Sequence, residues 1–223
     1  MTQPAIPYRI FSLGDAAFSI EFQHESLMEA NDQVHFFQEY FTHNPNPYIH
    51  SLVPAYRTLS FHVDLSALVF SKGRLSDVID QVQNLLVQPL TTSTAPGILH
   101  RIPIRYDLDV SPDLGWALTY TGLQLSEFIE AHTRPVYRVF MLGFLPGFGY
   151  LGEVDSRIQL PRKPIPQPVK AGSVGIAGNQ TGVYPGDSPG GWQLIGHSDF
   201  PFLQNGTPSL RAGDSVQFYP IVS

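Results

Sequence analysis

The chain of 223 residues contains no cysteine, which excludes disulfide bonds, cysteine-ligated zinc, iron–sulfur clusters and thiol catalysis. Charged residues are also scarce, at 14% against a usual ~25%. The net charge is -6, and Lys and Arg form no cluster. A protein that binds nucleic acid usually has a basic face, so we expect no nucleic-acid partner.

Long apolar runs are missing from the sequence as well. The longest, residues 140–151, is interrupted by three glycines and one proline and is too short to span ~30 Å of hydrocarbon. Residues 1–7 lack the basic and then apolar pattern of a signal peptide. The eight histidines have no metal-ligand spacing, and no H-E-x-x-H motif occurs. We therefore expect a soluble, cytoplasmic protein without a membrane partner or a metal site.

Glycine, in contrast, is concentrated, since fourteen of the 19 glycines fall between Gly143 and Gly213. No G-x-x-x-x-G-K-[ST] phosphate loop is present. Residues 147–152 spell G-x-G-x-x-G, but no clear helix follows to hold a pyrophosphate. Residues 186–190 spell G-x-S-x-G, but the serine is followed by Pro189, which has no N–H for an oxyanion hole. The glycines therefore need another explanation.

Hydrophobic periodicity predicts an α+β domain over residues 1–88 with the element order ββαββα. Apolar and polar residues alternate at 17–22 and 58–65, and two further strands are expected at 8–13 and 49–53. Apolar residues at three- and four-residue steps indicate helices at 27–41 and 75–86, packed on one face of a small antiparallel sheet. Residues 89–98 have no periodicity and are rich in Thr and Pro, which predicts an interdomain linker.

The remaining residues, 99–223, are predicted to form a second domain of short strands. A strand over 101–108 precedes two short helices, one ending near Tyr120 and one capped by Ser126 and running to His132. Further strands, separated by Gly and Pro, are expected at 137–144, 174–177, 182–184, 192–195 and 215–219. Many short strands with frequent turn residues are typical of a β-barrel or a β-sandwich.

Three segments of this second domain carry residues suited to ligand binding. Residues 143–152 place large apolar groups among glycines, as in a pocket lining or a buried turn. Residues 160–168 contain four prolines, which make either a stiff support holding Arg162 against a carboxylate or phosphate, or a rigid crossover. Residues 171–192 combine glycines with neutral hydrogen-bonding side chains. The predicted ligand-binding residues are Phe144, Pro146, Phe148, Tyr150, Gln180, Tyr184, Ser188, Gly190, Gly191 and Trp192.

Long motifs in the same domain carry a family resemblance. They are residues 132–152, 161–162, 171–185 and 188–192, and in this order they closely resemble the KipI family, also called allophanate hydrolase subunit 1 or the B subunit of 5-oxoprolinase. The resemblance implies a small α+β domain followed by a cyclophilin-like β-barrel. It also implies two partners, a KipA-like C subunit (allophanate hydrolase subunit 2) and an A subunit, in an ATP-dependent complex that opens 5-oxoproline to glutamate.

On this resemblance we expect a non-autonomous enzyme subunit whose site is completed by the C subunit, with ATP used by the complex. Arg162 would steady negative charge, Ser173 and Gln180 would orient the substrate, and His132 would relay a proton. Tyr184 and Trp192 would wall the pocket. The alternatives are a KipI-like inhibitor that binds a histidine kinase, a module of the allophanate hydrolase or urea carboxylase type, and, by fold analogy alone, a peptidyl-prolyl isomerase.

The sequence departs from the family pattern at three places. Gln167, Lys170 and His197 stand where the pattern has Arg, Pro and Arg. Loss of one arginine removes one charge-assisted hydrogen bond, typically ~1.5–3 kcal/mol, from a clamp that holds an anion with two arginines.

Overall fold

The computed structural model describes residues 7–88 and 97–221, and these two ranges form two separate units. The predicted linker at 89–98 lies outside the described residues except for Gly97 and Ile98. These two residues belong to the second unit, where the Ile98 N–H donates to Asp214 Oδ1 at 2.9 Å. Among the described residues, no helix has the length and apolarity needed to cross a membrane.

The first unit is a four-stranded antiparallel sheet with three helices, in the order ββαββαα. Its strands pair in the spatial order β1-β2-β4-β3. The elements are β1 (Tyr8–Ser12), β2 (Ala17–Phe22), α1 (Leu27–His43), β3 (Ile49–Pro54), β4 (Thr58–Val63), α2 (Leu65–Phe70) and α3 (Leu75–Leu86).

The predicted order ββαββα is wrong, because the structure has an additional helix, α2. This helix begins at Leu65, where the prediction placed the end of a strand. The Asp64 carboxylate accepts hydrogen bonds from the N–H groups of Ser66 and Ala67, at 2.9 and 3.1 Å, and so caps a short helix that begins at Leu65. The alternation of strand β4 ends at Val63, whose side chain is still buried.

The core of the first unit follows the hydrophobic pattern of the sequence. Strand β4 buries Leu59, Phe61 and Val63 while the intervening side chains remain partly exposed. Helix α1 covers the sheet with a buried apolar stripe that includes Val34 and Phe37. Burial of each such side chain contributes about 1.5–3 kcal/mol, and this contribution places α1 on the sheet.

The second unit is built on a seven-stranded sheet with two helices. Strands of this sheet pair in the order β12-β9-β10-β7-β6-β15-β5. The elements are β5 (Leu99–Ile104), α4 (Leu114–Thr121), α5 (Leu125–Thr133), β6 (Tyr137–Leu142), β7 (Gly149–Gly152), β8 (Gln167–Val169), β9 (Ser173–Ala177), β10 (Gln180–Val183), β11 (Ser188–Gly190), β12 (Gln193–His197), β13 (Leu203–Gln204), β14 (Thr207–Pro208) and β15 (Ser215–Pro220).

Two backbone hydrogen bonds join the ends of this sheet into a nearly closed barrel. Arg105, just after β5, donates its N–H to the carbonyl of His197 in β12 at 2.8 Å, and the His197 N–H donates back at 2.9 Å. Between the two architectures that the strand pattern left open, the structure has the barrel.

Several predicted boundaries in this unit are wrong. Strand β5 spans Leu99–Ile104 instead of residues 101–108, and two other boundaries differ for local reasons. Helix α5 is not capped by Ser126, because the Glu127 carboxylate accepts the Gln124 N–H at 2.9 Å and starts the helix at Leu125. Strand β6 ends at Leu142 rather than at Phe144, since Phe144 has φ of +69° and leaves the extended conformation.

Strand β10 separates two apolar clusters on the two faces of the sheet. Thr181 and Val183 are buried on the face that forms the barrel core. The Tyr184 side chain points to the other face, which Gly182 also faces, and a smaller cluster forms there around Phe148. The members of this second group, here called the aromatic cluster, are Phe148, Val169, Ala177, Tyr184, Trp192 and Leu194.

Candidate functional site

A pocket of about 300 Å³ opens on the aromatic cluster. Eight residues predicted from the sequence line it together, with Pro166 and Pro189 as additions. The lining consists of Phe144, Phe148, Tyr150, Arg162, Pro166, Tyr184, Pro189, Gly190, Gly191 and Trp192. Residues from all three predicted segments therefore meet at one site.

Phe148 is the centre of the pocket wall. Its ring is 1% exposed and lies edge-on to four other rings, with centroid distances of 5.0 Å to Tyr150, 5.3 Å to Tyr184 and Trp192, and 5.6 Å to Phe144. Edge-to-face packing at these distances is favourable and restricts each ring. The wall is therefore preformed, which lowers the entropy lost when a ligand binds.

Tyr184 is held with its hydroxyl against the backbone of the pocket. A Cβ at Gly190 would lie 2.4 Å from the Tyr184 hydroxyl oxygen, so this position tolerates no side chain. Burial raises the pKa of Tyr184, while the Trp192 backbone N–H and the positive charge of Arg162 act in the opposite direction. The phenol is therefore neutral at physiological pH and keeps a proton that can be donated.

Arg162 extends over the pocket from a fixed stretch of backbone. The carbonyl of Pro161 accepts a hydrogen bond from Gln193 Nε2 at 2.9 Å, and the N–H of Lys163 donates to the carbonyl of Gly191 at 2.7 Å. The Arg162 guanidinium lies beside Gly191, since a Cβ at that glycine would be 3.8 Å from both Nε and Nη2. Arg162 is exposed and forms no ion pair within the described ranges of the chain.

The chemistry of this pocket is that of a binding site rather than a complete catalytic centre. The guanidinium offers a planar set of donors that matches a carboxylate or phosphate. The aromatic walls suit a small ring. The lining contains no carboxylate and no imidazole that could act as a general acid or base. The described residues also contain no group of three or more His, Asp or Glu arranged to hold a metal ion.

His132, the predicted proton relay, lies in the barrel core instead of the pocket. It is fully buried, with Nδ1 at 2.7 Å from the Tyr106 hydroxyl and Nε2 at 2.8 Å from Thr181 Oγ1, and its ring stacks on Phe218. Burial lowers the pKa of His132 to about 3, so the imidazole is neutral. The geometry therefore gives no support to the relay.

Four other predicted residues do not line the pocket. Pro146 is exposed in the β6–β7 loop. Gln180 begins β10, four residues before Tyr184, which separates the two by about 13 Å along the strand. Ser173 is buried at the start of β9, where it pairs with His197 of β12. The Ser188 hydroxyl is buried without a hydrogen-bond partner among the described residues.

The chain matches the family described as "Carboxyltransferase domain, subdomain C and D" over residues 8–210. It is 37% identical to the B subunit of the 5-oxoprolinase of Bacillus subtilis (strain 168) over 226 residues, which cover 97% of this chain and 94% of that protein.

Two solved structures share the fold of this chain. The crystal structure of TTHA0988 in space group P212121 is 34% identical with a TM-score of 0.78, and the match covers 96% of this chain and 40% of that one. The Kluyveromyces lactis urea amidolyase is 14% identical with a TM-score of 0.76, covering 100% of this chain and 15% of that one, which shows a common fold. The expected family is confirmed, and the chain belongs to the carboxyltransferase-domain family of subdomains C and D.

Proposed function

We propose that this chain is a cytoplasmic B subunit of a 5-oxoprolinase, the activity that its Bacillus subtilis relative is named for. The observation that carries the proposal is the unpaired Arg162 above a preformed aromatic pocket of about 300 Å³. The substrate 5-oxoproline is a five-membered lactam with one carboxylate. Its flat ring fits against Phe148 and Trp192 while its carboxylate meets the guanidinium.

The chain contributes substrate binding and depends on partners for the chemistry. Ring opening requires the lactam carbonyl to be activated, and phosphorylation of its oxygen by ATP provides that activation. A water molecule must then attack the activated carbon, which releases inorganic phosphate and breaks the ring C–N bond to give glutamate. The pocket lining has no carboxylate or imidazole to deprotonate that water. A KipA-like C subunit, together with an A subunit, supplies these groups in the proposal. The neutral hydroxyl of Tyr184 donates a hydrogen bond to the substrate.

The test is reconstitution of the complex from purified A, B and C subunits, with glutamate release measured in the presence and absence of ATP. Arg162→Ala is expected to raise the KM for 5-oxoproline about 10- to 150-fold, the effect of losing one charge-assisted hydrogen bond. Arg211→Ala is the matched control, because Arg211 is also exposed and its side chain forms no ion pair with a described residue. An unchanged KM for Arg162→Ala contradicts the proposal.

A protein-binding function is the second candidate, and one surface feature favours it. Phe144 and Ile165 are 57% and 73% exposed, and Phe144 is part of the pocket lining. Exposed apolar side chains beside a pocket are typical of a partner surface. On a cyclophilin-like barrel, this surface would receive a proline-containing segment of a histidine kinase. A pull-down with the full chain that recovers the C subunit without any kinase would argue against this function.

The third candidate is carboxyl transfer, which the family description favours. Addition of a carboxylated biotin carrier, with transfer of the labelled carboxyl group measured, separates it from 5-oxoproline hydrolysis. Transfer that depends on this chain, without ATP-dependent glutamate release, would favour carboxyl transfer over the first proposal.

A further inference from the structure

Lys163, the neighbour of Arg162, forms a shielded ion pair with a residue far away in the sequence. Its Nζ lies 2.5 Å from Asp113 Oδ2, and the two side chains are 11% and 18% exposed. Lys163 Nζ also donates to Gln167 Oε1 at 3.3 Å. Arg162 and Lys163 are both basic and adjacent, yet the Lys163 side chain is held in an ion pair, while Arg162 extends over the pocket without an ion pair to any described residue.

Asp113 is itself fixed to the strand that follows the pocket wall. Its N–H donates to the carbonyl of Leu194 at 3.1 Å, and its Oδ2 accepts the Leu194 N–H at 2.7 Å. Leu194 lies in β12, two residues after Trp192. The carboxylate that holds Lys163 is therefore anchored to the same piece of backbone that positions Trp192.

Together these contacts attach the backbone around Arg162 at three points. The first is the Pro161 carbonyl bound to Gln193, the second is the Lys163 N–H bound to Gly191, and the third is the Lys163 side chain bound to Asp113. The first two are neutral hydrogen bonds. The third is charged and shielded from water, and together with the hydrogen bond to Gln167 it fixes the side-chain direction of Lys163, the residue after Arg162.

We propose that Asp113 and Lys163 are positioning residues for Arg162, which hold its guanidinium over the aromatic pocket through their ion pair. Neither residue lines the pocket, so they act through Arg162 and do not touch the ligand. The proposal rests on the proposed function for the identity of the substrate. The geometry of the pair itself is independent of that function.

A double-mutant cycle in the reconstituted complex tests this role. Lys163→Met is expected to raise the KM for 5-oxoproline about two- to tenfold with kcat nearly unchanged, which is the effect of releasing one ordered side chain. Adding Lys163→Met to Arg162→Ala should raise the KM no further, because the residue that Lys163 positions is already gone. Lys163→Arg, which keeps the ion pair, should restore the wild-type KM.

Asp113→Asn is the second variant, since its amide oxygen can still accept the Leu194 N–H while the charge is lost. It should behave as Lys163→Met does. If Lys163→Met and Arg162→Ala raise the KM independently of each other, or if kcat falls in proportion, Lys163 has a structural or separate role and the proposal is overturned.

A second readout does not depend on 5-oxoprolinase activity. In a Trp116→Phe background, Trp192 is the remaining tryptophan, and iodide quenching of its fluorescence reports anion access to the pocket. Arg162→Ala and Lys163→Met should both lower the quenching constant, and the double variant should match Arg162→Ala. If the complex releases no glutamate, the proposed function is wrong, and the quenching measurements alone then test whether Asp113 and Lys163 position Arg162. An unchanged quenching constant in Lys163→Met overturns this positioning role.

Discussion

Acidification should destabilise the second unit through His132. This imidazole is fully buried between the Tyr106 hydroxyl and Thr181 Oγ1, and no carboxylate of a described residue is hydrogen-bonded to it. Burial lowers its pKa to about 3, whereas in the unfolded chain the pKa of histidine is about 6.5. Below about pH 6.5 the unfolded chain therefore binds a proton at His132 that the folded chain excludes.

The size of the effect follows from this difference. Stability falls with decreasing pH wherever the unfolded state binds more protons, with a limiting slope of about 1.4 kcal/mol per pH unit for one group. Between about pH 7.5 and pH 5, an unfolded-state pKa of 6.5 gives a loss of about 2 kcal/mol. The carboxyl group of Asp155, whose pKa is lowered to about 2 by hydrogen bonds and an ion pair with Arg157, does not contribute in this range, because its pKa of about 3.9 in the unfolded chain also lies below pH 5.

Urea unfolding at the two pH values, followed by tryptophan fluorescence, measures this loss directly. Both tryptophans of the chain, Trp116 and Trp192, belong to the second unit. His132→Gln is expected to be less stable at pH 7.5, because it loses hydrogen bonds of the buried network, but its stability should depend less on pH by about 2 kcal/mol. His50→Gln is the control, since His50 is exposed in the first unit.

The reasoning would be refuted if the wild-type chain and His132→Gln lost the same free energy of unfolding on acidification. That result would mean that the folded state accommodates a charged imidazole in the barrel core. If the stability of His50→Gln depends on pH as that of the wild-type chain does, while the stability of His132→Gln depends on pH less, the loss of stability on acidification is due to the buried His132.

Three further changes test the pocket and the hydrogen bonding of the second unit. Gly190→Ala should lower the thermal unfolding temperature and alter Trp192 fluorescence, because its Cβ would lie 2.4 Å from the Tyr184 hydroxyl oxygen; an unchanged melting temperature contradicts this clash. Phe144→Gly should change the unfolding free energy by less than about 1 kcal/mol, since relief of a left-handed φ, worth about 1–2 kcal/mol, offsets the lost ring contacts. A larger loss, measured by urea unfolding, would mean that the ring is a structural support. Asp214→Ala should cost about 2–4 kcal/mol in the same assay, because the carboxylate accepts the N–H groups of Ile98 and Arg211 and pairs with a histidine; a loss below about 1 kcal/mol would show that water replaces these bonds.

Local rules predicted much of the secondary structure because periodicity reflects which face of an element is buried. The alternation at 58–65 identified β4 but extended it two residues too far, and the three- and four-residue spacing at 27–41 identified most of α1. Helix α2 was missed because its start depends on the Asp64 side chain capping two N–H groups, a geometry that periodicity does not report.

The choice between a barrel and a sandwich depended on contacts between distant residues. The closure of the sheet joins Arg105 to His197, and no local pattern marks either residue as a bridge. The Asp113–Lys163 ion pair could not be predicted either, because in the sequence Asp113 is an ordinary residue just before a helix.

The sequence by itself determined the family and the three segments that line the pocket, because the ordered motifs and the concentration of glycine can be recognised without a structure. Only the tertiary structure decided which residues of those motifs share the pocket. The Thr181 side chain in strand β10 points toward the buried His132, and the side chain of Tyr184, the residue just after β10, points toward Arg162. Successive side chains in a strand point to opposite faces. The same alternation places Thr181, the hydrogen-bond partner of His132, in the barrel core and Tyr184 at the pocket.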